Sequence, residues 1–265
     1  MLDFTEKSYN LLLTALIDQG YTFQTFGDFL RKPANKVIVL RHDVDARKEN
    51  SLQFAKKQHD LGIVGSYYFR VVPQSYDEKI IKEIAAMGHE IGYHYETMET
   101  VNAKCRMQNV KCKTEELVDM AYEEFCRTLE MFRRIVPVET ICMHGSPRSG
   151  FDNKDIWKKY DYRELGLLGE PYFDIDFNKV AYLTDTGRRW NGNKVSIRDK
   201  VISPFNFNFR TTNDIIRGID LLPDKVMFTF HPQRWHDRLV LWLKEFILQR
   251  IKNGIKWGLI KLKMD

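Results

Sequence analysis

Several things are scarce or missing in this sequence of 265 residues. There are four cysteines, Cys105, Cys112, Cys126 and Cys142, and no two of them form a C-x-x-C pair. An even count permits disulfides, but a chain of this size without a visible export signal is expected to keep free thiols. No window reaches the roughly 18–20 apolar residues that span a bilayer, and the longest clean apolar runs, such as Val37 to Leu40, are strand-sized. The opening residues, Met1 to Lys7, are acidic and polar, without the basic region and apolar stretch of a secretory signal; a cytoplasmic location is the expectation. A surplus of one charge sign is also absent. Lys and Arg number 41 against 36 Asp and Glu, a net +5, too little over this length to mark a nucleic-acid binder. The composition, 43% apolar and 29% charged, excludes a collagen-like or wholly disordered chain and fits an ordinary globular domain.

Strand-length apolar runs alternate with helix-length periodic segments. Thr5 to Gln19 reads as a helix with Tyr9, Leu12, Leu13 and Leu16 on one face and Gly20 as its stop. Val37–Leu40 reads as a strand buried on both faces. Helices follow over 49–61, 77–87 and 114–134, a short one over 152–159, and further helices over 211–221 and 239–252. Strands are predicted over 66–71, 90–94, 140–143 and 225–230. Residues 165–209, rich in Gly, Asn, Asp and aromatics, read as short strands and long loops. The repeated β-α order predicts a parallel sheet covered by helices. No repeat or linker divides the chain, so one α/β domain is expected: a helical extension over 1–35, a barrel over 36–235 and a C-terminal helical segment over 236–265.

Acids and histidines gather where predicted strands end, and parallel α/β folds place their active sites at those carboxyl ends. Arg41-His42-Asp43-Val44-Asp45 follows one strand, Glu90 to Glu96 carries another to its end at His94, Met143-His144 closes a third and Phe230-His231 the last. Side chains alternate along a strand, so Asp43 and Asp45 share a face while the backbone stays extended. Two such carboxylates, roughly 7 Å apart along the chain, repel unless a cation sits between them. A divalent metal fits, with one carboxylate as ligand, the other as base and neutral His94 as a further ligand. The competing reading makes both aspartates caps of the following helix. His144 and His231 read as functional. His42 points to the face opposite Asp43, His89 begins a strand at the wrong end, His59 reads as solvent-facing and His236 as loop surface.

These residues carry a family pattern. Gly88-His89-Glu90-Ile91-Gly92-Tyr93-His94 matches G-H-E-I-G-x-H at every fixed position. With the D-x-D at 43–45 and His231, the chain from about 36 to 235 resembles the polysaccharide deacetylases of carbohydrate esterase family 4, the NodB-homology group. It looks closest to a divergent subgroup that resembles deacetylases of bacterial surface-polysaccharide biosynthesis. The resemblance implies a distorted (β/α)7 barrel, here with the helical N-terminal extension, that removes acetyl groups from sugars with a divalent metal, often zinc. It implies Asp43 as general base, Asp45 and His94 as metal ligands and His231 as general acid. The family's second ligand histidine falls four residues after the first, where this chain has Met98. His144 is the preferred substitute, with Glu96 as the alternative. The family's Arg-x-Pro segment is altered here to His144-Gly145-Ser146-Pro147-Arg148, and Arg148 is expected to orient Asp43. Asp185 to Trp190 resembles the polar-aromatic wall of the sugar cleft, and Tyr95, Trp190 and Trp235 are candidate sugar-stacking faces.

The expected function is a metal-dependent deacetylase acting on an N-acetylated sugar or polysaccharide precursor. Two alternatives stand beside it: an inactive deacetylase-like barrel that binds glycan, and an amidase acting on a small cyclic amide. Five basic residues over 250–265 (Arg250, Lys252, Lys256, Lys261, Lys263), interleaved with apolar ones, add a peripheral contact with an anionic membrane as an expectation. The bland alternative is a solvated amphipathic surface helix.

Overall fold

The computed structural model describes residues 2–110, 112–145, 150–191 and 201–262, with side chains as far as Gly254 in the last helix. The element order is α1 (Glu6–Asp18), β1 (Thr22–Gln24), α2 (Phe26–Arg31), β2 (Val37–Val44), α3 (Lys48–Asp60), β3 (Ser66–Phe69), α4 (Glu78–Ala86) and β4 (Glu90–Tyr95). Then come α5 (Thr97–Met107), α6 (Thr114–Arg133), β5 (Ile141–Met143), α7 (Pro171–Asp174), β6 (Ala181–Thr184), α8 (Thr212–Arg217), β7 (Lys225–Phe230) and α9 (Leu239–Leu262). All pairings between these strands are parallel. The sheet has seven strands in the order β5-β4-β3-β2-β7-β6. Strand β1 shares an edge of β2 with β3: it pairs over Val37–Val39, and β3 takes over from Arg41 to Val44.

The sheet curls. Neighbouring strands sit about 4.8 Å apart, so β2 and β5, three places apart, would hold their ends roughly 14 Å from each other in a flat sheet. Instead Asp45, just beyond β2, and His144, just beyond β5, bring side-chain atoms to 3.6 Å. Among the described residues nothing pairs β5 with β6, so the barrel is open there, and the expected distorted α/β barrel is what the chain forms.

Alternation divides each strand between two apolar layers. Ile38, Leu40, Tyr67, Phe69, Ile91 and Phe228 face the helices. Val37, Val39, Tyr68, Cys142 and Met227 fill the inside of the curl, with Phe26 and Phe29 of α2 packed against them. Continuing the inner row toward the carboxyl ends gives Arg41 and Asp43 on β2 and His94 on β4. The site is therefore the polar top layer of a filled barrel interior.

The G-H-E-I-G-x-H stretch has a physical role at each place. Gly88 takes φ +86° just past α4, where side chains are strained. His89 accepts the Gly65 N–H at Nδ1 and holds the Ala55 carbonyl at Nε2. Glu90 accepts hydrogen bonds from Ser66, Thr140 and the Gly27 N–H, tying β3, the approach to β5 and α2 together. At Gly92 a Cβ would lie 2.3 Å from the Tyr68 ring, so glycine is needed for this ring to cross the strand.

Some elements were not foreseen. β1, α2 and α5 were not read from the sequence, the first two because they are short. The N-terminal segment packs into the molecule: Tyr9, Leu12, Leu13 and Leu16 are fully buried, and the Tyr9 hydroxyl reaches His42 Nε2 at 3.1 Å. The last helix runs to Leu262 rather than 252; Gly254 and Gly258 each cost only about 1 kcal/mol, which the flanking helix formers tolerate. The four cysteines are free thiols, as expected. No helix among the described residues is long and apolar enough to cross a membrane.

Candidate active site

Strand β2 ends in a turn that separates its two aspartates. The Asp45 N–H donates to the Asp43 carbonyl at 3.0 Å, so the backbone is no longer extended at Asp45. Neither aspartate caps the next helix, whose N-cap position is Arg47 in the left-handed region (φ +53°) with no side-chain cap. Asp43 is clamped by its neighbour two residues back: Arg41 Nε donates to Oδ1 at 2.8 Å and Nη2 to Oδ2 at 2.6 Å. Both residues are almost fully buried. Burial works against the Arg41 charge, but the Asp43 carboxylate outweighs it and holds the guanidinium well above its ordinary pKa. Arg41 thus orients Asp43; Arg148, for which that role was expected, lies outside the described residues. Arg41 was given no role in the sequence reading, although the alternation applied to the aspartates also puts it on the face of Asp43.

Asp45 sits among imidazoles. Its Oδ2 accepts from Gln233 Nε2 at 3.0 Å. Its Oδ1 is buried and accepts no hydrogen bond among the described residues, yet faces His94 Nε2 at 3.5 Å and His144 Nε2 at 3.6 Å. The other nitrogen of His94 is hydrogen-bonded, whereas that of His144 stands close to a carboxylate without hydrogen-bond geometry. His94 Nδ1 lies 2.9 Å from the Cys142 carbonyl, which can only accept, so a neutral His94 presents the lone pair of Nε2 to Asp45. His144 Nδ1 lies 3.0 Å from Glu96 Oε2. A carboxylate oxygen facing two such nitrogens is an arrangement that a cation reconciles, and imidazoles backed by a carbonyl or carboxylate are the usual surroundings of metal-ligating histidines. Burial would raise the Asp45 pKa; with the metal-free imidazoles protonated, His94, His144 and His231 outweigh it and hold the carboxyl well below the usual range.

Glu96 stands behind His144 rather than beside Asp45. Arg70 donates to both its oxygens, at 3.1 and 2.7 Å, and Arg70 Nη1 also reaches the Asp45 carbonyl at 3.3 Å. Burial opposes the Glu96 charge, but His144 and Arg70 bring the carboxyl down to about 2. Two further groups gather three donors within 4.8 Å: Asp43, His94 and Cys142, and Glu96, Glu99 and His144. In the first, both Asp43 oxygens are taken by Arg41; in the second, Glu96 is taken by Arg70. Glu99 Oε2 of the second group and Asp45 Oδ1 are both buried without a donor among the described residues; the Asp45 oxygen is the one that two imidazole Nε2 atoms face. Met98 is fully buried in the core.

His231 follows β7 and is held by a residue the sequence reading placed elsewhere. Its Nδ1 lies 2.6 Å from Asp185 Oδ1, just past β6, and its own N–H donates to Asp185 Oδ2 at 2.9 Å. Trp235 Nε1 and Arg234 Nη1 also donate to this carboxylate, at 2.7 and 2.9 Å. Asp185 is fully buried, which by itself raises its pKa, but His231 and Arg234 bring it below the ordinary value. The expected cleft wall at 185–190 is therefore corrected: Asp185 orients His231, and Trp190 is a core residue whose Nε1 donates to Thr212. Tyr95, Trp190 and Trp235 are all at most 3% exposed, so none offers a face to a sugar. The wide aromatic core around Phe228 and Phe230 absorbs both tryptophans. His236 is buried too, bonded to the Gln233 carbonyl at 2.9 Å. His42 and His59 lie as expected, the first buried against the helices and the second exposed.

Fold and site together define an open parallel-stranded α/β barrel with acids and imidazoles converging at the carboxyl ends of its strands. No family model and no curated protein matches the sequence. Among solved structures the chain is similar to a CE4 family pseudoenzyme from Bacillus anthracis, at 12% identity and TM-score 0.42 over 84% of this chain and 63% of that one. A mutant of that pseudoenzyme with restored enzymatic activity gives 12% and 0.42 over 84% and 65%. A Streptococcus mutans CE4 esterase gives 14% and 0.39 over 90% and 89%. The chain thus spans somewhat under two thirds of the Bacillus anthracis proteins. Members of carbohydrate esterase family 4, the group its motifs resemble, are among the solved structures it is similar to.

Proposed function

We propose that this protein is a metal-dependent deacetylase that hydrolyses an N-acetyl group from a sugar or glycan precursor. The observation that carries the reading is the Asp45 oxygen facing Nε2 of both His94 and His144, with His94 Nδ1 bonded to the Cys142 carbonyl and His144 Nδ1 3.0 Å from Glu96 Oε2. Asp45, His94 and His144 would hold a divalent cation such as zinc, and the donor set of one carboxylate and two imidazoles suits it. When bound, such an ion supplies Lewis-acid polarisation of the acetyl carbonyl and acidifies the attacking water.

The rest falls to the chain's own side chains. Asp43, its carboxylate plane fixed by Arg41, takes the proton of the attacking water. His231 has Nδ1 committed to Asp185, so Nε2 is the nitrogen that passes a proton to the departing sugar amine. Gln233 fixes the second oxygen of Asp45, and Glu96 fixes the ring of His144. Asp45 and His144 keep 22% and 17% of their side-chain surface while His94 keeps 2%, so a substrate approaches from the Asp45–His144 side.

The test pairs zinc titration with acetate release from a panel of N-acetylated sugars and cyclic amides. The expected result is about one zinc bound per chain, lost in Asp45→Ala and His94→Ala, with acetate released from a sugar. A folded protein that binds no divalent metal under any loading condition overturns the reading. Zinc and saccharide binding without acetate release supports the inactive glycan-binding barrel instead, and turnover of the cyclic amides alone supports the amidase.

A further inference from the structure

A second polar pocket lies outside the catalytic cluster. It measures about 380 Å³ and is lined by Arg188, Arg189, Arg210 and Arg250 with Gln249 and Asn253, between the turn after β6 and helix α9. Among the described residues, four guanidinium groups and no acid line it.

Arg188 is the unusual member. It is only 9% exposed and takes φ +55°, a left-handed conformation that disfavours side chains. Its guanidinium packs over the rings of Trp242 at 4.7 Å, Phe4 at 5.2 Å and Phe246 at 5.8 Å. Nη1 donates to the Trp242 carbonyl at 3.2 Å, but Nε and Nη2 are buried and have no hydrogen-bond partner among the described residues. Burial draws its pKa below the ordinary value, and the nearby Glu245 and Asp3 offset this only in part; neither forms an ion pair with it among the described residues. A buried cation without a paired anion is costly. Arg250 lies over Phe246 at 4.6 Å, and Arg189 holds Asn191 at 2.6 Å. The pocket thus concentrates positive charge on a scaffold pinned by Asn253 Nδ2, which donates to the Gly187 carbonyl at 2.9 Å.

We propose that this pocket binds the phosphate or pyrophosphate group of a phosphorylated ligand. Guanidinium forks match tetrahedral phosphate oxygens and bind them through paired charge-assisted hydrogen bonds. The site is independent of the deacetylase reading, but it is joined to the catalytic cluster: the Arg188 N–H donates to the carbonyl of Asp185, the residue that holds His231. The ligand's phosphate can come from a soluble compound or from a lipid headgroup. The lipid source has a physical basis in α9, which exposes Val240, Leu243, Ile247 and Ile251 at the spacing of one helical stripe.

The full-length chain is titrated calorimetrically with inorganic pyrophosphate, and separately mixed with phosphatidylglycerol-containing and pure phosphatidylcholine vesicles in a flotation assay. Arg210→Gln and Arg250→Gln are the variants, because both side chains are exposed and their loss leaves the core intact. Pyrophosphate binding that weakens about tenfold per variant supports the site with a soluble source. Flotation with the anionic vesicles alone, lost in the double variant, supports it with a lipid source. Binding to neither probe, or binding equal in wild type and double variant, overturns the proposal. Zinc content, measured alongside, stays unchanged in both variants, which separates this result from failure of the metal site.

Discussion

Replacing Arg41 with methionine tests the clamp that positions Asp43. The two residues are 1% and 3% exposed and joined by two hydrogen bonds, the shorter at 2.6 Å. At an effective dielectric of about 20, charges that close attract by about 6 kcal/mol, much of it offset by the cost of burying both. Removing one partner is a different matter, because the other stays buried without compensation, and such losses run to about 3–5 kcal/mol. Arg41→Met also removes the donor to the Tyr172 hydroxyl at 3.2 Å and the packing over that ring. Urea unfolding at pH 7, followed by tryptophan fluorescence, is expected to show this loss as a lower midpoint at unchanged slope. The double variant Arg41→Met/Asp43→Leu should recover most of it, since a buried ion pair is replaced by apolar groups. Arg41→Lys should recover little, because an ammonium cannot reproduce the two-pronged contact. Single variants that each cost under about 1 kcal/mol, with a double variant that is simply additive, would refute the reasoning.

The other expected outcomes concern three different groups. Glu96→Gln removes the charge behind His144 and should lower zinc affinity by about 10–100-fold, read by competition with a chelating dye; unchanged affinity would mean that His144 is no ligand. Asp185→Asn should reduce acetate release by about 10²–10⁴-fold at unchanged zinc content, and a rate within twofold of wild type would remove His231 from the chemistry. Burial depresses the His42 pKa to about 3 from 6.5, so the folded state refuses a proton that the unfolded chain accepts. Its contribution is complete above pH 6.5 and fades as pH falls toward 3, by about 2 kcal/mol at pH 5. Urea midpoints at pH 7 and pH 5 should therefore diverge more for wild type than for His42→Gln, and parallel behaviour would contradict this assignment.

The parts legible in the sequence were those with a strong period or a fixed local chemistry. Val37–Leu40 and 225–230 announced buried strands, Thr5 and Gly20 bracketed α1, and period-two reasoning placed His42 away from Asp43. The convergence of Asp45, His94 and His144 followed from one rule, that strand carboxyl ends meet at one rim. What escaped depended on tertiary geometry. Trp190 and Trp235 have the composition of a sugar platform, but an aromatic ring's burial depends on neighbours hundreds of positions away in some cases, such as Phe4 against Trp235 at 5.0 Å. Asp185 lay in a segment without periodicity, so nothing local showed that it follows a strand adjacent to β7. Helix α5 begins directly after the site at Glu96 and has a weak apolar pattern over Thr97–Met107, which left it unread. The spacing argument for Asp43 and Asp45 assumed an extended chain, and the turn at Asp45 was invisible to it.

The sheet order has a consequence for how the molecule is made. Its central strand, β2, is flanked by β7, so residues 37–42 pair with residues 225–230. During synthesis the run Val37-Ile38-Val39-Leu40 emerges early and must wait for most of the chain before that edge is covered. Such distant pairing slows folding, and an apolar strand with one open edge is prone to join other chains in the interval. Assembly of the nascent chain is thus paced by its last strand, and crowding by neighbouring nascent copies is the hazard it faces.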